Sequence, residues 1–200
     1  MRESNAPRRT EKPPRTARTG PAGPAEGVEM PPLAKAIVEE LVLVSARPLD
    51  ARWFTGRALA ALESGDAAGA LELATQAKQV ANRSPTIREI RGVAAYTVGD
   101  FKDALSELQA FRRLTNSAVQ DPRIADCYRG LGRPLRAVEF LQKHDAKGPA
   151  AALVRAGALV DAGDASGAEA ALRLARLAGV EIPSSGFLPV GRLGTAARSR

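Results

Sequence analysis

One short pattern recurs along the chain, and its spacing constrains the fold more than any other feature of the sequence. A glycine followed by a charged residue occurs at intervals of 34, 33 and 31 residues, at Gly65-Asp66, Gly99-Asp100, Gly132-Arg133 and Gly163-Asp164. An alanine stands five residues after each glycine, at Ala70, Ala104, Ala137 and Ala168. A small residue stands seven residues before each, at Ala58, Gly92, Ala125 and Ala156. A period of this length is typical of a repeat array whose units pack against their neighbours.

Each repeat glycine is predicted to end a helix, because glycine adopts the left-handed backbone common at that point without a Cβ penalty. The small residues are predicted where two antiparallel helices cross, since a bulky side chain would push the helices apart. Apolar residues between them, such as Leu71, Leu105 and Leu141, would fill the seam. We predict helices at 33–46, 50–63, 68–81, 85–97, 102–115, 120–131, 134–143, 149–161 and 166–178. Each helix pair keeps a second apolar face that only a neighbouring pair can cover, so the pairs are expected to stack.

The period, the small-residue positions and the aromatic residues Phe54, Phe101 and Tyr128 together resemble the tetratricopeptide repeat (TPR). The resemblance covers about residues 33–180, and similar repeats are common in TPR proteins of GC-rich bacteria. It implies an all-α fold, a right-handed α-solenoid of antiparallel helix pairs. About four TPR-like units would follow an N-terminal half-repeat at 33–48, which ends at Pro48. Such scaffolds host unrelated binding tasks, so the resemblance implies a fold and leaves the function open.

The composition changes at both ends of the predicted repeats. Residues 1–31 are rich in Pro, Gly, Thr and charge and have no apolar periodicity, so we predict a disordered basic tail there. The repeat domain is predicted at 32–182, and a flexible C-terminal tail at 183–200. Within that last tail, Phe187, Leu188 and Val190 form a short apolar patch, which we expect to fold back over the last unit.

The net charge is +7, but it is concentrated in the predicted tails. Residues 1–30 carry +2 and residues 183–200 carry +3, which leaves +2 for the whole of the predicted repeat region. Signs alternate along those helices, as on a solvated mixed-charge surface. The single cysteine, the lack of a secretory signal and the lack of a long apolar run favour a cytoplasmic protein with no membrane segment.

The sequence contains little that indicates catalysis. Cys127 and His144 are the only residues of their types, and both are interpreted as structural. The sequence contains no GxxxxGK[ST] and no HExxH, and Gly130-Leu131-Gly132 does not extend to a complete GxGxxG motif. We therefore expect a non-enzymatic protein without a cofactor or a bound metal.

The resemblance also implies where a partner would bind, because the first helix of each TPR unit lines the concave groove. By register, that surface includes Arg52, Thr55, Leu59, Glu89, Val93, Tyr96, Asp126 and Arg129. Tyr96 and its apolar neighbours are expected to anchor a helix or an extended peptide. The Lys and Asn clamp of chaperone-binding relatives is absent, since its positions hold Thr55 with Leu59 and Glu89 with Val93.

An arginine stands eight residues before three of the four repeat glycines, at Arg57, Arg91 and Arg155. A residue repeated at one register of a solenoid forms a row, so these guanidinium groups could bind acidic segments, carboxylates or phosphates. The alternative, which we favour, is pairing within the fold, with carboxylates at Glu63, Glu89, Asp126 or Asp161.

The leading functional hypothesis is an adaptor that captures a segment of another protein in the groove. The alternative is weak binding of nucleic acid through the basic tails and a patch at Arg129–Arg136, which has few aromatic neighbours for base stacking. Self-association through the exposed face of the helix at 33–46 is a third possibility.

Overall fold

The computed structural model describes residues 20–177 and 179, and within that part of the chain all regular structure is helical. The helices are α1 (Lys35–Val44), α2 (Pro48–Ser64), α3 (Ala67–Val80), α4 (Pro85–Val98), α5 (Phe101–Thr115), α6 (Asp121–Gly130), α7 (Pro134–Lys143), α8 (Pro149–Asp161) and α9 (Ala165–Leu177). The all-α prediction is confirmed for these residues. Among them, no helix combines the length and the apolar character that crossing a membrane would require.

The helix boundaries agree with the predicted ones to within two residues at either end. The largest shifts are in α1, which is shorter than predicted at both ends, and in α2, which begins two residues early at Pro48. Proline suits the first helical position because its φ is already helical and its missing N–H would have no partner there. The same reasoning applies to Pro85, Pro134 and Pro149, each of which begins a helix.

The four repeat glycines form one type of turn. Their φ angles are 87°, 87°, 70° and 81° in chain order, all left-handed. At Gly99, the glycine N–H donates to the Tyr96 carbonyl at 3.1 Å and the Asp100 N–H donates to the Ala95 carbonyl at 2.9 Å. The same two bonds close the other three turns, and together they are the Schellman motif that ends helices.

The aspartate after the glycine begins the next helix in three of the four turns. The carboxylates of Asp66, Asp100 and Asp164 accept the backbone N–H of the residue three positions later, at 2.8, 3.0 and 2.8 Å. This is the N-cap bond that satisfies a free donor of the first helical turn. Arg133 cannot accept such a bond, and α7 begins without a side-chain cap.

The small residues of the pattern lie where helices approach closely. All eight are buried, as predicted. A Cβ added to Gly92 in α4 would lie 2.6 Å from Leu108 Cδ2 and 3.2 Å from the Leu108 backbone nitrogen in α5. A side chain at this position would therefore have to push the two helices apart.

The core runs along the chain as a series of clusters rather than as one centre. Leu41, Phe54 and Ile87 form the first cluster, and Ala125, Leu141 and Val154 belong to the last. Each helix packs against the next in sequence, and α2 also contacts α4, as α6 contacts α8. The contacts are thus dominated by neighbours along the chain.

The segment that precedes α1 packs against the helices, although its composition predicts a tail up to residue 31. The Arg47 Nη2 donates to the Pro21 carbonyl at 2.8 Å. Pro31 lies over Gly56 of α2, where an added Cβ would come within 2.4 Å of Pro31 Cγ. The predictions for residues 1–19 and 180–200, including the patch at Phe187, lie outside the described residues.

We predict that Gly92→Val lowers the free energy of unfolding by about 1–3 kcal/mol, the usual cost of forcing extra volume into a packed site. Urea unfolding followed by circular dichroism measures the change. Thr97→Val, on the exposed face of the same helix, is the matched control and should have little effect. Equal stability of the two variants would show that the helices do not need the close approach at Gly92.

Candidate binding surface on the first helices

Four helices, which we call the first helices, each precede a repeat glycine: α2, α4, α6 and α8. Hydrogen bonds between side chains connect three of them. Tyr96 Oη in α4 donates to Asp126 Oδ2 in α6 at 2.5 Å. Arg129 Nη1 donates to Asp126 Oδ1 at 2.7 Å, and Arg129 Nε donates to Asp161 Oδ2 in α8 at 2.8 Å. We call these four residues the first-helix bridge.

Three of the four bridge residues are buried, while Asp161 at the end of α8 is exposed, and this burial corrects one prediction. Tyr96 is only 1% exposed and Arg129 only 5%, and Asp126 is buried with them. The sequence predicted Tyr96 as the anchor for a partner, yet a side chain this buried cannot contact one in this conformation. The physical reason is that the tyrosine ring packs in the core while its hydroxyl reaches the carboxylate that Arg129 also binds.

Gly157 explains how a guanidinium fits between two helices. A Cβ at Gly157 in α8 would lie 2.6 Å from Arg129 Cζ, so the guanidinium rests on the helix backbone where a side chain is missing. The pair of carboxylates on either side neutralises the buried cation, as a buried charge requires.

The remaining residues predicted for the groove differ in accessibility. Thr55 is fully buried. Arg52, Leu59, Glu89 and Val93 are half-buried, which leaves part of each side chain at the surface. Glu89 Oε1 accepts from Gln120 Nε2 at 2.6 Å, so its carboxylate also ties α4 to the start of α6. The accessible part of the predicted surface is therefore mainly Arg52, Leu59 and Val93.

The three arginines of the predicted row have three different environments. Arg57 is exposed, with its Cζ 5.4 Å from the centroid of the Trp53 ring. Arg91 is half-buried and donates to Asp103 Oδ1 at 2.8 Å and to Glu107 Oε1 at 2.6 Å. Arg155 is half-buried, and its buried Nε has no hydrogen-bond partner. Arg91 thus pairs within the fold as we favoured, but its partners lie on α5 and differ from the four carboxylates suggested by the sequence.

A charged cluster that the sequence analysis missed surrounds Glu107. Its carboxylate is 2% exposed and accepts from Lys78 Nζ at 2.5 Å, Arg88 Nη1 at 2.9 Å and Arg91 Nη1 at 2.6 Å. These cations come from α3 and α4, so one carboxylate of α5 binds three helices together. The signal was present, because Glu107 interrupts the apolar face formed by Ala104, Leu108 and Phe111.

The pKa of Glu107 reflects this setting. Burial raises the pKa of the carboxyl group, but hydrogen bonds from Lys78 and Arg88 and their positive charges lower it by more, so the pKa lies below its usual 4.5. The unfolded chain therefore binds this proton more readily than the folded chain. The carboxylate stabilises the fold above pH 4.5, and that contribution is lost as the pH falls through the lowered pKa.

Cys127 is not set up for catalysis. The thiol is buried, and burial together with the Asp126 charge raises its pKa to about 12. It therefore stays protonated at neutral pH and is a poor nucleophile. Among the described residues, no group of three or more His, Cys, Asp and Glu side chains is arranged to hold a metal ion.

Comparison with known proteins assigns neither a family nor a function. No protein-family model matches the chain, and no curated protein matches it. The functional assignment therefore depends on the surfaces and contacts of the fold itself.

We predict that Tyr96→Phe lowers the free energy of unfolding by about 1–3 kcal/mol, because it removes the hydrogen bond that the tyrosine hydroxyl donates to the buried, charged carboxylate of Asp126. The ring volume is unchanged, so packing is retained. Tyr128→Phe, which removes a half-buried hydroxyl, is the control and should cost less. Denaturant unfolding with both variants separates the effect of the bridge from that of losing any tyrosine hydroxyl.

We predict that Glu107→Gln destabilises the protein by about 1–3 kcal/mol at pH 7, since neutral glutamine binds the three cations less strongly. The difference from the wild type should begin to shrink as the pH falls below 4.5, where the carboxyl group of the unfolded chain becomes protonated, and the loss continues until the pH has passed the lowered pKa of the folded chain. Unfolding curves from pH 7 to pH 3 measure this difference. Glu72→Gln, at an exposed position of α3, serves as the control. A difference that stays constant over this range would contradict the role given to the charge.

Proposed function

We propose that the protein is a cytoplasmic, non-enzymatic adaptor of TPR type, a right-handed α-solenoid that binds a segment of another protein along its first helices. In this arrangement α2 with α3, α4 with α5, α6 with α7 and α8 with α9 are the repeat units. The helix α1 and the segment before it form the half-repeat at the N-terminal end.

The first-helix bridge is the observation that carries this proposal. In a solenoid of helix pairs, the first helices of successive units lie side by side. The first-helix bridge links the first helices of three successive units by direct hydrogen bonds between Tyr96, Asp126, Arg129 and Asp161. The same pair of Schellman hydrogen bonds at the four repeat glycines supports this architecture, since each bond pair ends a first helix in the same way.

The accessible surface beside the bridge suits a peptide. Leu59 and Val93 occupy the same repeat position, six residues before their glycines, and both are half-buried. Val160, near the end of α8, is 39% exposed. Arg52 adds a cation close to the N-terminal end of this row. Apolar side chains between charges provide contact area and direction for a bound helix or extended strand.

The nucleic-acid alternative has less support. Arg129, one end of the predicted basic patch, is buried between two carboxylates. Arg136 pairs with Glu139, at 3.1 Å. Sequence-tolerant binding of nucleic acid uses exposed cations together with stacking aromatic rings, and of the three arginines in the patch only Arg133 and Arg136 are exposed. Self-association is the third proposal, because Leu43 of α1 is 85% exposed.

The test is affinity capture from a lysate of the source cells, with and without nuclease, using the wild type and a Leu59→Arg/Val93→Arg variant. We expect a protein that the wild type enriches, that survives nuclease, and that the variant loses. Binding of the purified partner, measured by calorimetry, should be at least about tenfold weaker for the variant, a loss of roughly 1.4 kcal/mol. Substituting Tyr96 or Arg91 would test the fold instead, since both bind other residues internally.

The matched control is Leu114→Arg, which adds a cation at an exposed apolar position on α5. It should retain the partner, because α5 does not belong to the first helices. Capture that nuclease abolishes in wild type and variant alike would favour the nucleic-acid alternative. Equal loss in both arginine variants would show that the first-helix surface is not the binding site.

A further inference from the structure

A cleft of about 300 Å³ lies between α5, α6 and α7, away from the surface proposed for the partner. Its walls are polar and aromatic: Gln109 comes from α5 and Tyr128 from α6, while Arg136, Glu139, Phe140 and Lys143 come from α7, with His144 at its end. Apart from Arg136, which belongs to the patch of the nucleic-acid alternative, no function described above uses these residues.

The contact of His144 with Arg112 fixes the hydrogen on the imidazole ring. Arg112 Nη2 lies 3.0 Å from His144 Nδ1. An arginine side chain can only donate, so Nδ1 accepts and the ring hydrogen is on Nε2. Burial and the Arg112 charge hold the pKa of His144 below its usual 6.5, so the ring is neutral at pH 7.5. His144 therefore lines the cleft as a neutral group with one N–H donor.

The other polar groups of the cleft are also mostly donors. The Tyr128 hydroxyl accepts from Gln109 Nε2 at 2.9 Å, which leaves its own hydrogen to donate. Arg136 and Lys143 add two exposed cations. Glu139 is the opposing charge within the lining, and it pairs with Arg136 at 3.1 Å. Donors and positive charge therefore exceed acceptors and negative charge.

Aromatic rings complete the lining. The Phe140 ring centroid lies 4.4 Å from that of His144 and 6.0 Å from that of Tyr128, so three rings form a continuous row. The rings are tilted by 50° and 56° to their neighbours, so each one, Phe140 among them, offers its own apolar face beside the donors. The volume is at the lower end of the range of about 300–1,000 Å³ found for small-molecule sites.

We propose that this cleft binds a small organic anion, a carboxylate or a phosphate joined to a flat apolar group. The anionic end receives the hydrogen bonds of His144 Nε2 and Tyr128 Oη and the charge of Lys143 and Arg136. The flat part lies against Phe140. This site is separate from the first-helix surface, so it holds whether or not the adaptor proposal is correct.

The chain contains a single histidine, so the Cε1–Hε1 signal of His144 reports on this cleft without ambiguity in a proton–carbon NMR spectrum. The probes are benzoate, phenyl phosphate and the neutral analogue benzamide, each titrated to about 10 mM at pH 7.5. We expect a saturable shift with one or both anions, and their relative affinities tell a carboxylate site from a phosphate site. No saturable shift with either anion, or an equal one with benzamide, would overturn the proposal.

Two exposed variants test the charge of the site in opposite directions. Lys143→Gln should weaken binding of the better anion about 3- to 10-fold, the size of one exposed charge-assisted contact. Glu139→Gln should strengthen it by a similar factor, because it removes the opposing carboxylate and releases Arg136. Arg113→Gln, an exposed arginine of α5 outside the cleft lining, is the control and should leave affinity unchanged. Equal effects of Lys143→Gln and Arg113→Gln would show general attraction to a basic surface instead of a site.

Discussion

The close approach of helices at alanine and glycine is the constraint on which the rest of this structure depends. Gly92 touches Leu108 closely enough that no side chain fits between them, and alanine occupies the corresponding place in the other pairs. Small residues bring backbones together, but each buries little apolar area and contributes correspondingly little to stability. The large side chains then decide how the pairs meet, and several of those are polar.

Two sets of buried polar contacts join helices in this way. Glu107 of α5 forms ion pairs with cations of α3 and α4. The first-helix bridge joins α4 to α6 and α6 to α8 by hydrogen bonds. A buried ion pair adds little net stability compared with an apolar pair, but separating it leaves a charge uncompensated in the interior. These contacts therefore act mainly on which helices lie together and in which register, a task that a row of alanines cannot perform.

The helices were predictable because their ends are set by local chemistry. A glycine with φ near 87° ends a helix, and a proline at the first position begins one, through the backbone conformation of that residue alone. The sequence pattern and the structure therefore agree at Gly65, Gly99 and Pro85. Side-chain exposure depends on what another helix presents. Tyr96 was placed at the surface by register alone, because its partner Asp126 lies 30 residues away. The packing of the segment before α1 has a related reason: composition counts apolar residues, whereas Pro31 lies against the bare backbone of Gly56.

The helix α6 is one of the first helices and also forms one wall of the cleft. Its residues point in different directions, and this separates the two proposed sites. Asp126 and Arg129 bind inside the fold, whereas Tyr128, one residue from Arg129, lines the cleft on the other side. If α6 moved when a ligand bound in the cleft, its hydrogen bonds to buried charged groups would break. Breaking them costs more free energy than a single exposed contact with the ligand supplies. Asp121 adds to this restraint at the start of the helix, since it accepts from Arg112 at 2.7 Å while Arg112 also holds His144. These hydrogen bonds therefore hold α6 in place between the two surfaces. We expect that a ligand bound in the cleft leaves the first-helix surface unchanged.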